Sequence, residues 1–415
     1  MRCLNHALAS TLKRKGPLLR GWRIFTAQTP AAKEFDEHFA AVYGERWPSL
    51  RASLLQPKTH AVLLNCFEDA IWTRKWLAEH VPSAVPACGA LPVECLKAAE
   101  PGAAFPPPPI GPRGLLSYYL MDLASIFAAA LLAPRPGDVV ADICAAPGGK
   151  SIVLAQSLLL PWHYGEDSSG NHCGSDKAAA TMSFLMANDS SATRYRRLRA
   201  VTKAYLPAVA AAHLQLTCVN AVRWHLRRAA PRHPAGCDFA GYDRVLVDVP
   251  CSAERHLLLR GAAASTLVMP GGETSDGGGP VAAVSAAAAA VAPATELAAW
   301  TPRRSRRLTT LQRGLLSAAL LSARPGGLVL YATCSISPAE NDGVVAEVVR
   351  RGKAGAEAVV GPEQWPAWAA EVLAAHFPGA DRTPAGGVDI LPDRCDGWGP
   401  LYVALLRRRD DSGAI

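Results

Sequence analysis

Residues 139–151 read VVADICAAPGGKS, and this stretch decides the fold of the 415-residue chain. A short apolar run typical of a buried strand ends at Asp142, and a Gly-Gly turn then leads into a helix-length segment. Such a turn lets backbone amides approach a ligand closely and points a helix N-terminus at its anionic part. Cys144 stands where a phosphate-binding P-loop needs Gly, and the dinucleotide pattern G-x-G-x-x-G is absent.

The sequence around this stretch alternates strand-like and helix-like segments. Four more runs have the composition of buried strands: 183–188, 214–219, 244–249 and 328–333. The alternation predicts a Rossmann-like α/β fold with a parallel, doubly wound sheet, whose strand carboxyl ends lie along one ligand-binding edge. Residues 161–177 and 261–299 interrupt the alternation and are predicted insertions; the second is rich in Ala and Gly.

The chain divides into three predicted regions. Residues 34–114 form a small N-terminal module, helical by apolar spacing to about residue 80 and a Pro-rich connector beyond it. Residues 115–409 form the large domain, opened by a predicted helix at 115–132. Residues 1–33 are basic and free of acids, which is typical of a transit peptide for the mitochondrial matrix, or alternatively the plastid. A basic arm that touches nucleic acid is the other interpretation.

Charge and cysteine usage narrow the class further. Lys and Arg total 43 against 35 Asp and Glu, a net charge of +8, and basic clusters lie at 194–232 and 303–307. These clusters fit an anionic partner such as RNA, or simply a solvated helix face. Eleven cysteines form no C-x-x-C pair, so we expect neither a zinc site nor a disulfide framework. No apolar stretch predicts a membrane span.

Two cysteines follow strand-like runs, in DVPC at 248–251 and YATCS at 331–335. Both thiols should therefore lie at the ligand-binding edge. A lone cysteine there is most often a small buried hydrophobe, but two thiols beside one ligand loop favour chemistry. Asp248 is placed to act as an acid, or only ends its strand. The residues alone leave the roles of the two thiols symmetric.

Asp189 follows the predicted strand at 183–188. An acid in this place can accept hydrogen bonds from both ribose hydroxyls of a nucleotide-like ligand. The alternative is that its carboxylate caps the helix that begins near Ser190.

Three motifs in this order, DICAAPGGK at 142–150, DVPC at 248–251 and TCS at 333–335, strongly resemble those of the Sun-domain RNA cytosine-5 methyltransferases of the RsmB/NOP type. With YYLMD at 118–122 and GPLY at 399–402, the chain resembles above all the mitochondrial small-subunit rRNA members. The resemblance implies a class I S-adenosylmethionine-dependent methyltransferase sheet, RNA as substrate and organellar small-subunit rRNA as its source.

The resemblance also implies site residues. Cys334 would add to carbon 6 of cytosine, Cys251 would help to release the adduct, and Asp248, in a neutral form, would activate the ring. The implied S-adenosylmethionine contacts come from Cys144, Ala145, Ala146, Pro147, Gly148, Gly149, Lys150, Asp189, Arg194, Asn220 and Asp248. Asn220 is a departure, since relatives carry an acid there that holds the adenine amino group; its carbonyl offers an uncharged acceptor.

The resemblance further suggests a guiding partner, a helical-repeat protein of the mitochondrial transcription-termination-factor type, for which residues 35–47 would be the docking region. Three alternatives remain open at this stage. The chain could be a ribosome-assembly RNA-binding factor in which catalysis is dispensable, or a tRNA cytosine-5 methyltransferase. The third alternative is methyl transfer to a small molecule or a protein, but that reaction gives the second cysteine no obvious role.

Overall fold

The computed structural model describes residues 30–87, 89–99, 104–159, 183–226, 240–267, 300–352 and 356–409. The first 29 residues of the predicted transit peptide, the insertion at 161–177 and residues 268–299 of the second insertion lie outside this set. The start of that second insertion, 261–267, continues a helix.

The helices are α1 Pro30–Tyr43, α2 Trp47–Leu54, α3 Ala70–His80, α4 Leu123–Leu131, α5 Gly149–Leu159, α6 Ala192–Tyr205, α7 Ala208–Ala211, α8 Glu254–Leu267, α9 Pro302–Ser322, α10 Asp342–Arg351 and α11 Ala367–His376. The strands are β1 Ala61–Leu64, β2 Ala84–Pro86, β3 Cys95–Ala98, β4 Tyr118–Met121, β5 Val139–Asp142, β6 Phe184–Asn188, β7 Leu214–Thr217, β8 Tyr242–Asp248, β9 Ala323–Thr333, β10 Ala356–Val360, β11 Asp381–Arg382, β12 Val388–Ile390 and β13 Leu401–Arg408.

A nine-stranded sheet forms the large domain, in the order β11-β12-β13-β9-β8-β5-β6-β7, with β10 paired to β13. Strands β5 to β9 are parallel, which confirms the predicted doubly wound α/β sheet and its five strands. The strand order reverses between β5 and β8, and this switch point is where ligands bind in such sheets. Beyond β9 the sheet continues antiparallel through β13.

Side chains alternate across these strands and build a core on each face of the sheet. Val140, Leu246 and Leu330 pack on one face with α4, α5 and α11. Val245 directly precedes Leu246 and Val329 directly precedes Leu330. Both valines point to the other face of the sheet and pack with α9 and α10. This two-residue period is what buries a parallel sheet on both sides.

The N-terminal module contains the predicted helices, but it is not only helical. Strands β2, β3, β1 and β4 form a four-stranded antiparallel sheet. The apolar spacing predicts helix for the residues of β1 and one continuous helix over 115–132. Both predictions are wrong, because Tyr118–Met121 pairs as a strand with Ala61–Leu64. Short apolar runs do not distinguish helix from strand until their partner is known.

Residues 35–47, suggested as a docking region, have a buried side and an exposed side, and Glu37, Ala41 and Val42 are among the exposed residues. Phe35, Phe39 and Trp47 are buried in one cluster with Trp300 and Ile336, and Ile336 lies just beyond the cysteine motif at 333–335. These aromatic rings are therefore core and not a free surface.

Two features are absent from the residues that the structure describes. Among them, no helix is long and apolar enough to cross a membrane. Nor does this part of the chain hold a group of three or more His, Cys, Asp and Glu side chains arranged to hold a metal ion.

Candidate functional site

The turn after β5 is built on two glycines. Gly148 has a φ of +124°, which L side chains rarely adopt, and an added Cβ would lie 2.9 Å from a Cγ of Val201 in α6. An added Cβ on Gly149 would lie 2.8 Å from Cε1 of Tyr119 in β4. Both positions need glycine because the backbone passes close to its neighbours before α5 begins.

A cavity of about 220 Å³ opens beside this turn. It is lined by Tyr119, Leu120, Met121, Ser125, Asp142, Cys144, Ala145, Ala146, Pro147, Gly149, Lys150 and Asp248. Seven predicted cofactor residues are thus brought together on one wall. The sequence did not predict the lining residues of β4, nor Ser125, nor Asp142. For Asp142 a signal was available, because it ends a predicted strand.

Asp142 is almost wholly buried at the cavity. Ser151 Oγ donates to its Oδ2 at 2.7 Å, while Oδ1 has no hydrogen-bond partner among the described residues. Burial, followed by the nearby Asp248 charge, raises the pKa of Asp142 to about 7, although Ser151 acts in the opposite direction. A buried acceptor without a partner is an available contact for a ligand N–H or O–H.

Asp189 and Arg194 lie next to the glycine turn but do not line the cavity. Asp189 is buried, and its Oδ2 lies 3.1 Å from Nε of Arg194, which also donates to the carbonyl of Ala146. The backbone amide of Ser191 donates to Asp189 Oδ1 at 2.9 Å. The N-cap of α6 is Ser191, so the alternative of Asp189 as the helix cap is wrong.

Asn220 is exposed in the loop after β7, outside the cavity. Its Oδ1 accepts the backbone amide of Val222 at 3.0 Å, the pattern of a local turn. Asn188, which is buried, holds this loop to the glycine turn because its Nδ2 donates to the carbonyls of Ile143 and Val219, each at 3.0 Å. Asn220 therefore stands on the same edge of the sheet as the cavity.

Lys150 and Asp248 form an ion pair on the cavity wall, with Nζ 2.7 Å from Oδ2. Burial alone would lower the pKa of Lys150, but the Asp248 carboxylate more than offsets it and the net pKa is raised. Lys150 is therefore positively charged at neutral pH. Ring activation by Asp248 needs the neutral carboxyl, whereas here the side chain has a cationic partner.

The two predicted thiols are brought together at the ends of β8 and β9. Cys251 Sγ and Cys334 Sγ are 3.1 Å apart. Cys334 is exposed and Cys251 is half-buried. The hydrogen bond with Cys334 and then burial raise the pKa of the Cys251 thiol well above its usual range. Neither thiol lines the cavity, but Lys150 is close enough to interact electrostatically with Cys334.

The chain is similar to known proteins both in sequence and in fold. The family model described as 16S rRNA methyltransferase RsmB/F matches residues 296–374. The chain is 30% identical over 343 residues to the 5-cytosine rRNA methyltransferase NSUN4 of Mus musculus, covering 77% of this chain and 74% of the relative. It is 28% identical over 388 residues to a mitochondrial tRNA (cytosine(34)-C(5))-methyltransferase of Danio rerio, covering 91% and 86%.

Two solved structures share the fold. A methyltransferase homolog protein from Pyrococcus horikoshii matches with a TM-score of 0.55 and 17% identity, covering 90% of this chain and 94% of the other. The structure of NSun6 from Pyrococcus horikoshii with SFG matches with a TM-score of 0.57 and 16% identity, covering 91% and 98%. The neighbours confirm the Rossmann-like methyltransferase architecture.

Replacing Asp142 with Asn should change the pH dependence of stability. The stability contributed by a neutral Asp142 is complete below the pKa of an unfolded Asp, about 3.9, and is lost as the pH rises through about 7. Asn does not titrate, so only the wild type loses this stability as the pH rises. We therefore expect the free energy of unfolding of Asp142→Asn, relative to that of wild type, to be higher at about pH 8 than at about pH 5 when both are measured by urea unfolding. The exposed Asp396→Asn is the matched control. An equal difference at both pH values for Asp142→Asn would contradict the role of burial.

Proposed function

We propose a substrate, a cofactor and a catalytic route for this chain, on the premise that it belongs to the RsmB/F family of RNA cytosine-5 methyltransferases. It methylates carbon 5 of a cytosine in organellar small-subunit rRNA, with S-adenosylmethionine as the methyl donor. The observation that carries this proposal is the pair of thiols 3.1 Å apart at the strand ends beside the Lys150–Asp248 ion pair. A small-molecule methyltransferase has no use for that pair.

The cavity residues fit S-adenosylmethionine, which when bound supplies an electrophilic methyl group. The orphaned Oδ1 of Asp142 can accept from an amino group, and the glycine turn leaves room for a close approach. Because about 220 Å³ is less than the roughly 300–1,000 Å³ of usual ligand pockets, the nucleoside must also extend along the sheet edge. Asp189 would then meet the ribose and Asn220 the adenine.

Carbon 5 of cytosine is too weak a nucleophile to take a methyl group unaided. The thiols can provide the covalent activation that makes it nucleophilic. Cys334, the exposed thiol, would add as a thiolate to carbon 6, which makes carbon 5 nucleophilic toward the methyl group of the bound cofactor; S-adenosylhomocysteine would be the leaving group. A base removes the carbon 5 proton and the sulfur–carbon bond breaks, a release that Cys251 assists. Asp248 would donate a hydrogen bond to ring nitrogen 3 in its neutral form, so substrate binding has to displace its ion pair with Lys150.

A basic helix end beside the thiols fits RNA as the substrate. Four exposed arginines lie in the first two turns of α9: Arg303, Arg304, Arg306 and Arg307. Ser305, between them, reaches into the protein next to the cysteine loops and donates to Glu340 Oε1 at 2.7 Å. Cations at a helix N-terminus oppose the helix dipole, so this cluster costs stability and is explained by binding phosphate.

Substituting each thiol separately should distinguish their roles. We expect Cys334→Ala to form no covalent adduct with RNA, because the nucleophile is gone. Cys251→Ala should accumulate an adduct, visible as a slowly migrating band in denaturing gels. The reverse pattern would mean that the two roles are exchanged.

Bisulfite sequencing of organellar RNA from cells that carry each variant then tests the substrate. Loss of 5-methylcytosine from small-subunit rRNA supports the proposal. Loss from tRNA alone would favour the tRNA enzyme, the activity named for one relative. No lost cytosine signal would leave the assembly-factor interpretation.

The cofactor residues can be tested by calorimetric titration with S-adenosylmethionine. Asp189→Ala should weaken binding by about tenfold or more, since a charged hydrogen-bond acceptor for the ribose is lost. Asn220→Asp should bind more tightly than wild type, because it restores the acid found in relatives. Arg196→Ala, on the exposed face of α6, is the control that should not change. Unchanged affinity in Asp189→Ala would remove Asp189 from the cofactor site.

We place the enzyme in the mitochondrial matrix, with the plastid as the alternative. The relative from Danio rerio is named as mitochondrial, and the basic, acid-free residues 1–33 support import. A fusion of residues 1–40 to a fluorescent protein should reach mitochondria, whereas the same fusion with its basic residues changed to Gln should stay in the cytosol. Cytosolic signal from the unaltered fusion would contradict import.

The guiding helical-repeat protein remains part of the proposal. Such a protein must bind elsewhere than on Phe35, Phe39 and Trp47, which are buried against Trp300.

A further inference from the structure

Behind the two cysteines lies a pair of buried carboxyl groups. Glu254 opens α8 three residues after Cys251, and Glu340 lies six residues after Cys334; both side chains are fully buried. Among the described residues, neither forms an ion pair with Lys, Arg or His. Two adjacent negative charges without a cation are strongly unfavourable in a protein interior, so one carboxyl must carry a proton.

Glu340 is surrounded by hydrogen-bond donors. Its Oε2 accepts from the backbone amide of Ser252 at 3.0 Å and from Nε2 of Gln312 at 2.8 Å. Its Oε1 accepts from Oγ of Ser305 at 2.7 Å. Three donors that point at both oxygens suit a carboxylate, which only accepts.

Glu254 has the surroundings of the neutral partner. Its Oε2 accepts the backbone amide of Ile336 at 3.1 Å. Its Oε1 contacts the hydroxyl groups of Ser252, with Oγ at 2.6 Å, and Ser335, with Oγ at 3.0 Å, and hydroxyls can accept as well as donate. The backbone amide of Glu254 itself also donates to the carboxyl. Burial, and then the charge of Glu340, raises the pKa of Glu254 to about 7.

The Ser252 hydroxyl lies between the two carboxyls and settles the proton count. It is in hydrogen-bond contact with Oε1 of Glu254 and with Oε1 of Glu340, yet it owns one hydrogen. If that hydrogen goes to Glu340, the contact with Glu254 needs a hydrogen from Glu254 itself. A chain in which Glu254 donates to Ser252 and Ser252 donates to Glu340 satisfies both contacts between the hydroxyl and the carboxyls with a single carboxyl proton.

We propose that Glu254, Ser252 and Glu340 form a carboxyl clamp that holds the Cys251 and Cys334 thiols at their mutual distance. The clamp reaches the residue after each cysteine: Ser252 follows Cys251, and Glu254 also bonds to Ser335 and to the Ile336 amide beyond Cys334. Both glutamates are positioning residues, because they touch neither thiol directly. The value of this positioning for catalysis rests on the proposed function, but the clamp itself does not.

A matched pair of variants tests the clamp through the formation of a Cys251–Cys334 disulfide. Diamide takes the two thiol hydrogens, and mass spectrometry of the linked peptides follows this one bond without RNA or S-adenosylmethionine. Glu254→Gln should cross-link within about twofold of wild type, because the amide supplies the hydrogen that the neutral acid supplied. Glu254→Met, of similar volume but without hydrogen bonds, should slow cross-linking by about tenfold or more, since disulfides need narrow geometry.

Retained cross-linking in Glu254→Met would show that packing alone positions the thiols and would overturn the clamp, as would its loss in Glu254→Gln. If Glu254→Met does not fold, Ser252→Ala removes only the bridging hydroxyl and should slow the reaction by at least about threefold; an unchanged rate overturns the proposal. Cofactor titration should be unchanged in both glutamate variants, while kcat falls in Glu254→Met alone. If the variants cross-link as expected but the wild-type protein methylates no RNA, the clamp is supported and the proposed function is rejected.

Discussion

The parallel register of β5, β8 and β9 is the constraint on which the rest of the molecule depends. Asp142 of β5 pairs with Leu246 of β8, and Asp248 of β8 pairs with Ala332 of β9. Parallel strands in register deliver their carboxyl ends to one edge, so the glycine turn, the ion pair and both thiols meet there although they are far apart in sequence. A one-residue slip would turn each of these side chains to the other face.

Much of this arrangement could be predicted from the chain alone. The five parallel strands have strong apolar runs with turn residues at their ends, and a motif that ends a strand is placed as soon as the strand is recognised. The positions of Lys150, Asp248 and the two cysteines at one edge followed from that rule. Which thiol attacks did not follow, because periodicity carries no chemistry, and the roles came from the family resemblance.

What could not be predicted depends on contacts between distant segments. Strand β4 lines the cavity only because it pairs with β1, more than 50 residues earlier, and its apolar residues fit a helix equally well in isolation. Glu254 and Glu340 read as ordinary surface acids in the sequence. Nothing in either motif reveals that α8 and the loop before α10 bury both carboxyls together. Tertiary packing overrides local pattern at these places.

The charges around the two thiols give a physical reason why Cys251 and Cys334 should have different roles. The charges of Glu254 and Glu340 oppose a negative charge on Cys251, in addition to the hydrogen bond and burial that raise the pKa of that thiol. Cys251 therefore keeps its hydrogen and can donate it to the sulfur of Cys334. Cys334 is exposed and has the Lys150 ammonium near it. The different surroundings of the two sulfurs thus favour Cys334 as the nucleophile.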